Sequence, residues 1–422
     1  GWRTKKGIAP LRIRTFLHAM VLFTFYGLGG MLLSLFSITI LPLIPISKKK
    51  KMKWLHNTMA KMVTATLYGN PFVKKGVVNP HGETFEKPAI IISNHSSFLD
   101  TLTIGMATPN VIYLVNDWVY KSPIFGLLAK VAGFYPVSSG VDGSLEHLEE
   151  KIRQGYCLVV FPEARRSFTN KIGRFHKGAF FLAQQLKLDI LPLYLHGNAE
   201  VLPKRDFVIY DGSLTVVVGK RIAHDDMAYG SEGRERTKKI GAFYKQEFQK
   251  VRDSIEDADY FKDILFSNYR YRGVEMLNAV KSDFKENKLI YKELSDELPA
   301  KTTILHIADD YGQIDILLVS RFIDRKITSY VKNDEKRVVA KNCYTNRHRK
   351  VQFLDNLELV SSKNIDFLII SADFNDNSQN NKALDLPMNN VILVKNEHLL
   401  EGFIQKGYQI KNQSDSLIHL VL

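Results

Sequence analysis

The chain has 422 residues, 45% hydrophobic and 24% charged, with 26 glycines and 14 prolines, which excludes a disordered polymer, a collagen and a small disulfide scaffold. Two cysteines, Cys157 and Cys343, are too few for a disulfide framework or a thiolate zinc site, and they fit a reducing compartment. The net charge of +14 is uneven: residues 1–250 carry 34 basic against 18 acidic side chains, and residues 251–422 carry 24 against 26, so only the first part calls for an anionic partner.

The first predicted element is an apolar segment. Thr15 to Ser47 is a run of 33 positions without Asp, Glu, Lys or Arg. About 20 apolar residues are enough to span a bilayer. The run is too long for a secretory signal peptide, and no small-residue cleavage site follows it. Arg3, Lys5, Lys6, Arg12 and Arg14 precede it; Lys48, Lys49, Lys50, Lys51 and Lys53 follow. Basic flanks favour the cytoplasmic side and anionic headgroups, so the expected location is the cytoplasmic face of the inner membrane. Three arrangements fit: a hairpin that dips into the membrane and turns at Gly27, Gly29 and Gly30, a single span, or buried helices of a soluble core. Nucleic acid is not expected, because no basic–aromatic interleaving or nucleic-acid motif occurs.

Residues 56–74 read as a helix leading into the body. Short apolar runs rich in β-branched residues then recur at residues 88–94, Val111–Val115, Tyr156–Phe161 and Ile190–Leu195, closing near Leu214–Lys220. Amphipathic stretches at Ser144–Gln154 and His176–Leu186 lie between them, and a charged helix covers Glu232–Asp257. Residues 259–300 are helical and polar. A second alternation has strands at Thr302–Ala308, Lys326–Val331, Val351–Leu354, Ile365–Ser371 and Val391–Val394. It ends in a hairpin, Tyr408–Lys411 with Leu417–Leu422. Asn375–Asn381 reads as a loop. The fold class is α/β, with a membrane segment at 1–55, a first α/β domain at 56–258, a helical connector at 259–300 and a doubly wound Rossmann-like domain at 301–422.

Chemistry concentrates where strands end. The run 88–94 leads directly into His95-Ser96-Ser97-Phe98-Leu99-Asp100. Ser96 or Ser97 can cap the helix that follows. From its first turn Asp100 can return to the imidazole, fix its tautomer and stabilise the imidazolium, making a general-base pair that activates a substrate hydroxyl. Roughly 0.7 His–Asp pairs at this spacing are expected by chance at this composition, so the pair alone is a weak signal. Tyr156–Ser167 strengthens it: a second buried strand ends in Phe161-Pro162-Glu163-Ala164-Arg165-Arg166-Ser167. Arginines there suit a phosphate or carboxylate. Cys157 lies mid-strand and reads as a buried apolar residue, not a nucleophile.

The succession HSSFLD, FPEARRS, FHKGAFFLA and ILPLYLHG resembles the glycerolipid acyltransferases of the lysophosphatidate acyltransferase type, over about residues 55–225. The resemblance implies His95 as general base and Asp100 as its orienting acid. It places acceptor binding around Glu163, Arg165, Arg166 and Ser167, with Ser96 and Ser97 nearby. Backbone N–H groups near 96–98 or 163–166 are expected to hold the oxyanion. Acyl-CoA or acyl carrier protein is the implied co-substrate; acyl transfer itself requires no cofactor or metal. Two departures stand out. Ala164 and Arg165 replace Gly and Thr of the family pattern F-P-E-G-T-R-S, and Ser139 stands where G-x-x-F-I-x-R has arginine. The acceptor class therefore stays open between a lysophosphatidate and a hydroxylated lipid without that phosphate, such as an aminolipid or pigment.

The layout of residues 302–422 resembles class I S-adenosylmethionine-dependent methyltransferases. Aligned on their D-x-G-x-G-x-G pattern, the acid is His306, the first two glycines are Ala308 and Asp310, and only Gly312 remains to approach the cofactor. Val331 stands where an acid should hold the ribose. The expectation is a degenerate domain without methyl transfer. The whole succession also resembles bacterial chains in which an MMPL-family lipid exporter precedes such domains. A lipid exporter is then the implied partner, and a first residue Gly1 suits the tail of such a chain.

Overall fold

The computed structural model describes residues 8–122, 126–136, 145–167, 171–204, 208–231, 233–357, 364–372, 385–386 and 388–422. Ser139 and the 375–381 loop lie outside the described residues. Two compact units emerge, Thr15–Ile255 and Glu256–Leu422, the residues before Thr15 being grouped with the latter.

In the first unit, α1 (Ile8–Thr39) runs unbroken through Gly27, Gly29 and Gly30, so no hairpin turns there. The chain turns later, through a 3₁₀ turn at Leu41–Leu43 that contains Pro42, before α2 (Lys48–Tyr68) starts at the cap Ser47. The glycines serve packing instead: a Cβ on Gly29 would lie 2.8 Å from Met62 Sδ of α2. Ala19 and Leu22 of α1 are buried with Val63 and Leu67 of α2 and with Leu99 and Leu102 beyond. The other side of α1 is bare, with Phe16, Val21, Phe25 and Leu32 exposed. Ile13–Leu43 is long and apolar enough to cross a membrane, by length and composition. The lysine cluster forms the first turns of α2, which starts eight residues earlier than the sequence reading placed it and stops at Gly69.

Seven strands follow among the described residues: β1 (Val73–Val78), β2 (Ala89–Ser93), β3 (Val111–Val115), β4 (Tyr135–Pro136), β5 (Cys157–Val160), β6 (Asp189–His196) and β7 (Gly212–Val218). Their order is β1-β7-β6-β2-β5-β3-β4, and every pairing is parallel except β6 with β7. β2 lies in the middle and is buried along its whole length. Its alternating side chains separate two layers. Ile90 and Ile92 pack with Phe180 and Tyr244, from the helices Gly178–Gln185 and Gly233–Ile255. Ile91 packs with Ile104 of α3 (Leu99–Ala107).

The second unit carries β8 (Thr303–Ala308), β9 (Lys326–Val331), β10 (Gln352–Leu354), β11 (Phe367–Ile370), β12 (Asn390–Val394), β13 (Gln409–Gln413) and β14 (Leu417–Val421). The order is β10-β9-β8-β11-β12-β14-β13, with β14 antiparallel to both neighbours. This is a doubly wound sheet closed by a terminal hairpin, and its strand order reverses between β8 and β11.

Candidate active site

The first site begins at Asn94, where β2 leaves the sheet. Its amide clamps β6: Nδ2 donates to Leu195 O and Leu195 N–H donates to Oδ1, both at 2.9 Å. The buried Tyr244 hydroxyl donates to Leu193 O at 2.7 Å and lies 2.9 Å from Asn94 Oδ1. These bonds fix the point at which the next residue, His95, emerges. His95 Nδ1 lies 2.7 Å from Asp100 Oδ2, and no described residue takes Nε2. The histidine side chain is 19% exposed and the aspartate 0%. The imidazole stacks on Phe161, ring centroids 4.1 Å apart.

Asp100 is held from every side. Oδ2 also accepts from Ser96 N–H at 2.7 Å and Ser97 N–H at 2.9 Å, while Oδ1 accepts from Asn198 Nδ2 at 2.8 Å. The carboxylate thus reaches back over the start of α3 and faces the imidazole. Asn198, just beyond β6, was not singled out from sequence. Nothing local marks it, since only the parallel pairing of β2 with β6 brings it to Asp100.

The second motif packs beneath the first. Glu163 is buried, and both its oxygens accept main-chain donors: His95 N–H at 2.8 Å and Gly173 N–H at 2.7 Å. Burial pushes its carboxyl up, against the pull of those two donors. Ser167 N–H donates to His95 O at 2.7 Å. The two motifs are therefore stitched together through backbone, and Glu163 acts as a brace with its oxygens already engaged.

His95 borders two spaces. One is an apolar cavity with about 1220 Å³ of empty space, lined by Met59, Val63, Leu102, Tyr113, Phe134 and others, with Arg166 also on its wall. His56 also lines it, buried and hydrogen-bonded through Nε2 to Ala132 O, and burial lowers its pKa to about 4, so it is neutral at physiological pH. The other is a polar cleft of about 380 Å³ bordered by Ser96, Glu163, Ser167, Lys171 and Arg252.

Several expected roles change. Ser97 is fully buried, donates its hydroxyl to Leu202 O at 2.8 Å and accepts from Leu99 N–H, so it ties the start of α3 to the loop after β6 and has no donor left for an acceptor lipid. Arg165 is exposed and lines neither space. The N–H groups of Ser96, Ser97 and Ala164 are engaged by Asp100 and Phe161 O, so they do not form an oxyanion hole. Cys157 is buried at the first position of β5, its thiol pushed up to about 11 by burial.

In the second unit the loop after β8 packs tightly at Gly312. Gly312 has the left-handed φ of +85°, and a Cβ there would lie 2.7 Å from Asn346 Nδ2 and 2.8 Å from Ala340 Cβ. Asp310 turns inward and accepts from Gly312 N–H and Ile314 N–H, and Lys336 bridges to Asp309. Val331 is fully buried.

The His95–Asp100 pair thus lies where an apolar cavity and a polar cleft meet. Residues 77–196 match the family model described as Acyltransferase. The 1-acyl-sn-glycerol-3-phosphate acyltransferase of Saccharomyces cerevisiae is 27% identical over 216 residues, 49% of this chain and 68% of its own. A chloroplastic protein of the same name from Brassica napus is 26% identical over 216 residues, 49% of this chain and 59% of its own. The crystal structure of the 1-acyl-sn-glycerophosphate acyltransferase PlsC from Thermotoga maritima aligns over 57% of this chain and 98% of its own, at 19% identity and a TM-score of 0.49. The chain thus spans about three fifths of the length of the Brassica relative.

Proposed function

We propose that the protein is a membrane-associated O-acyltransferase that moves an acyl group from acyl-CoA or acyl carrier protein to the hydroxyl of a lysophospholipid-like acceptor. The observation that carries this reading is the His95–Asp100 pair set at the end of a large apolar cavity. The cavity holds the acyl chain; burial of each methylene contributes about 0.8 kcal/mol. The polar cleft, with Lys171 and Arg252, receives the acceptor headgroup. His95 Nε2 takes the proton of the acceptor hydroxyl, and Asp100 stabilises the imidazolium that forms. The hydroxyl oxygen bonds to the thioester carbon, the C–S bond breaks, and the thiolate leaves and takes up the proton. Arg166, which lines the same cavity as His95, offers positive charge to the developing oxyanion. The exposed apolar side of α1 and the lysines of α2 support a location on anionic lipid, in this reading at the cytoplasmic face of the inner membrane.

The test is acyl transfer by detergent-purified protein, with labelled acyl-CoA or acyl carrier protein and lysophosphatidate or extracted host lipids, beside a folded His95→Ala variant. The expected loss is about 10²–10⁴-fold. Equal transfer by the variant would end this reading.

A further inference from the structure

We propose that Ser371, His306 and Asp315 form a second, independent nucleophilic site in the C-terminal unit, one that cleaves carboxylic esters or thioesters. His306 lies in β8, fully buried in the middle of the sheet. Its Nδ1 is 2.7 Å from Asp315 Oδ1, on the first turn of the helix Gln313–Arg321, and its Nε2 is 2.7 Å from Ser371 Oγ, directly after β11. Each nitrogen meets the partner that a nucleophile–base–acid relay requires. Burial is graded in the same order: Ser371 is half-buried, while His306 and Asp315 are 0% exposed.

Two further observations favour a site over a strut. First, the group sits where the strand order reverses between β8 and β11, the crevice in which doubly wound sheets bind their ligands. Second, Asp315 Oδ2 is buried with no hydrogen-bond partner among the described residues. A buried oxygen left open destabilises a fold, so stability alone does not account for this acid. Its charge has one evident task, to hold an imidazolium on His306.

In the reaction Ser371 Oγ bonds to the substrate's acyl carbon as its proton passes to His306 Nε2. The C–O or C–S bond to the leaving group then breaks, and His306 returns the proton to the departing alcohol or thiol. Water repeats the sequence on the acyl-serine, releasing a carboxylic acid and restoring Ser371. The N–H groups of Ser371 and Ala372 both donate to Ile307 O. The oxyanion lacks those donors, so turnover is slow and covalent capture is the sharper readout.

The full-length protein in detergent is treated with a biotinylated fluorophosphonate and the adduct is mapped by peptide mass spectrometry. The expected adduct is on Ser371, absent in Ser371→Ala and at least tenfold slower to form in His306→Asn. If His306→Asn does not fold, Asp315→Asn, which keeps the side-chain shape, replaces it with the same expectation. Hydrolysis of p-nitrophenyl butyrate and of butyryl-CoA then separates ester from thioester preference. No adduct on Ser371 of the folded wild-type chain, or equal labelling of the folded His306 or Asp315 variant, overturns the proposal and leaves the triad as a structural network.

Discussion

Asn198 Nδ2 donates to Asp100 Oδ1 at 2.8 Å, and the same amide nitrogen lies 2.9 Å from Thr103 Oγ1. Asn198 touches neither the imidazole nor Nε2, so it acts as a positioning residue: it fixes the carboxylate whose other oxygen faces His95. Asn198→Ala leaves Oδ1 buried and short of a donor, and the aspartate is freer to rotate from the imidazole. We expect kcat to fall about 10–100-fold, as for other groups that orient a catalytic ligand, with KM for the acyl donor nearly unchanged. A variant with lower stability but an unchanged kcat would show that Asn198 only packs the fold.

Ala164 has φ of +57°, in the left-handed region, at the position where the family pattern has glycine. A Cβ costs roughly 1–2 kcal/mol there, and glycine returns part of that through the entropy of the unfolded chain. Ala164→Gly should therefore stabilise the N-terminal unit by about 0.5–1 kcal/mol, read as a rise in its thermal transition. The gain should come without loss of activity, because Glu163 keeps both main-chain donors.

The parts of the site carried by contiguous sequence were legible: His95 and Asp100 lie five residues apart across the start of α3, and β2 and β5 announce themselves as buried runs. The parts assembled across the sheet were not. Asn198 meets Asp100 only through the pairing of β2 with β6, and Ser371 meets His306 only because β11 lies beside β8. Glu163 was legible as a site residue but not as a brace, since its partners are main-chain N–H groups that leave no sequence trace. β1, Val73–Val78, was missed, its first two residues read as the end of a helix and the rest left unassigned: its two lysines and Gly76 hide a half-exposed edge strand that forms by pairing with β7. The glycines of α1 show the same limit from the other side. A glycine for turning and a glycine for close packing look alike until Met62 is known to sit against Gly29.

Gly105 lies on α3 and lines the apolar cavity; a Cβ there would meet Val63 Cγ1 at 3.6 Å and Tyr113 Oη at 3.8 Å, ordinary contacts. The helix tolerates a side chain, and replacing a mid-helix glycine helps it by up to about 1 kcal/mol. Gly105→Leu should therefore fold and fill part of the cavity. Each methylene denied burial weakens chain binding by about 0.8 kcal/mol, close to fourfold. The variant should favour shorter acyl donors, read as kcat/KM across a chain-length series. An unchanged series would place the acyl chain elsewhere.

Burial pushes the Asp310 carboxyl up to about 6, with Asp315 adding to the rise and His306 opposing it. Those two side chains are the charged groups facing it from β8 and the following helix. Between the ordinary carboxyl value near 4 and about 6, the folded chain holds a proton on Asp310 that the unfolded chain has lost. Unfolding then releases a proton, so stability falls as pH rises through this window. Asp310→Asn removes the titrating group and keeps an oxygen for Gly312 N–H. Calorimetry of the full chain should show the C-terminal transition of wild type falling relative to Asp310→Asn as pH rises from 4 to 6, by up to about 3 kcal/mol. The difference should then stay flat to pH 8, where both states carry the aspartate charge. A difference that grew in favour of wild type over pH 4 to 6 would mean that His306 outweighs burial and holds Asp310 ionised.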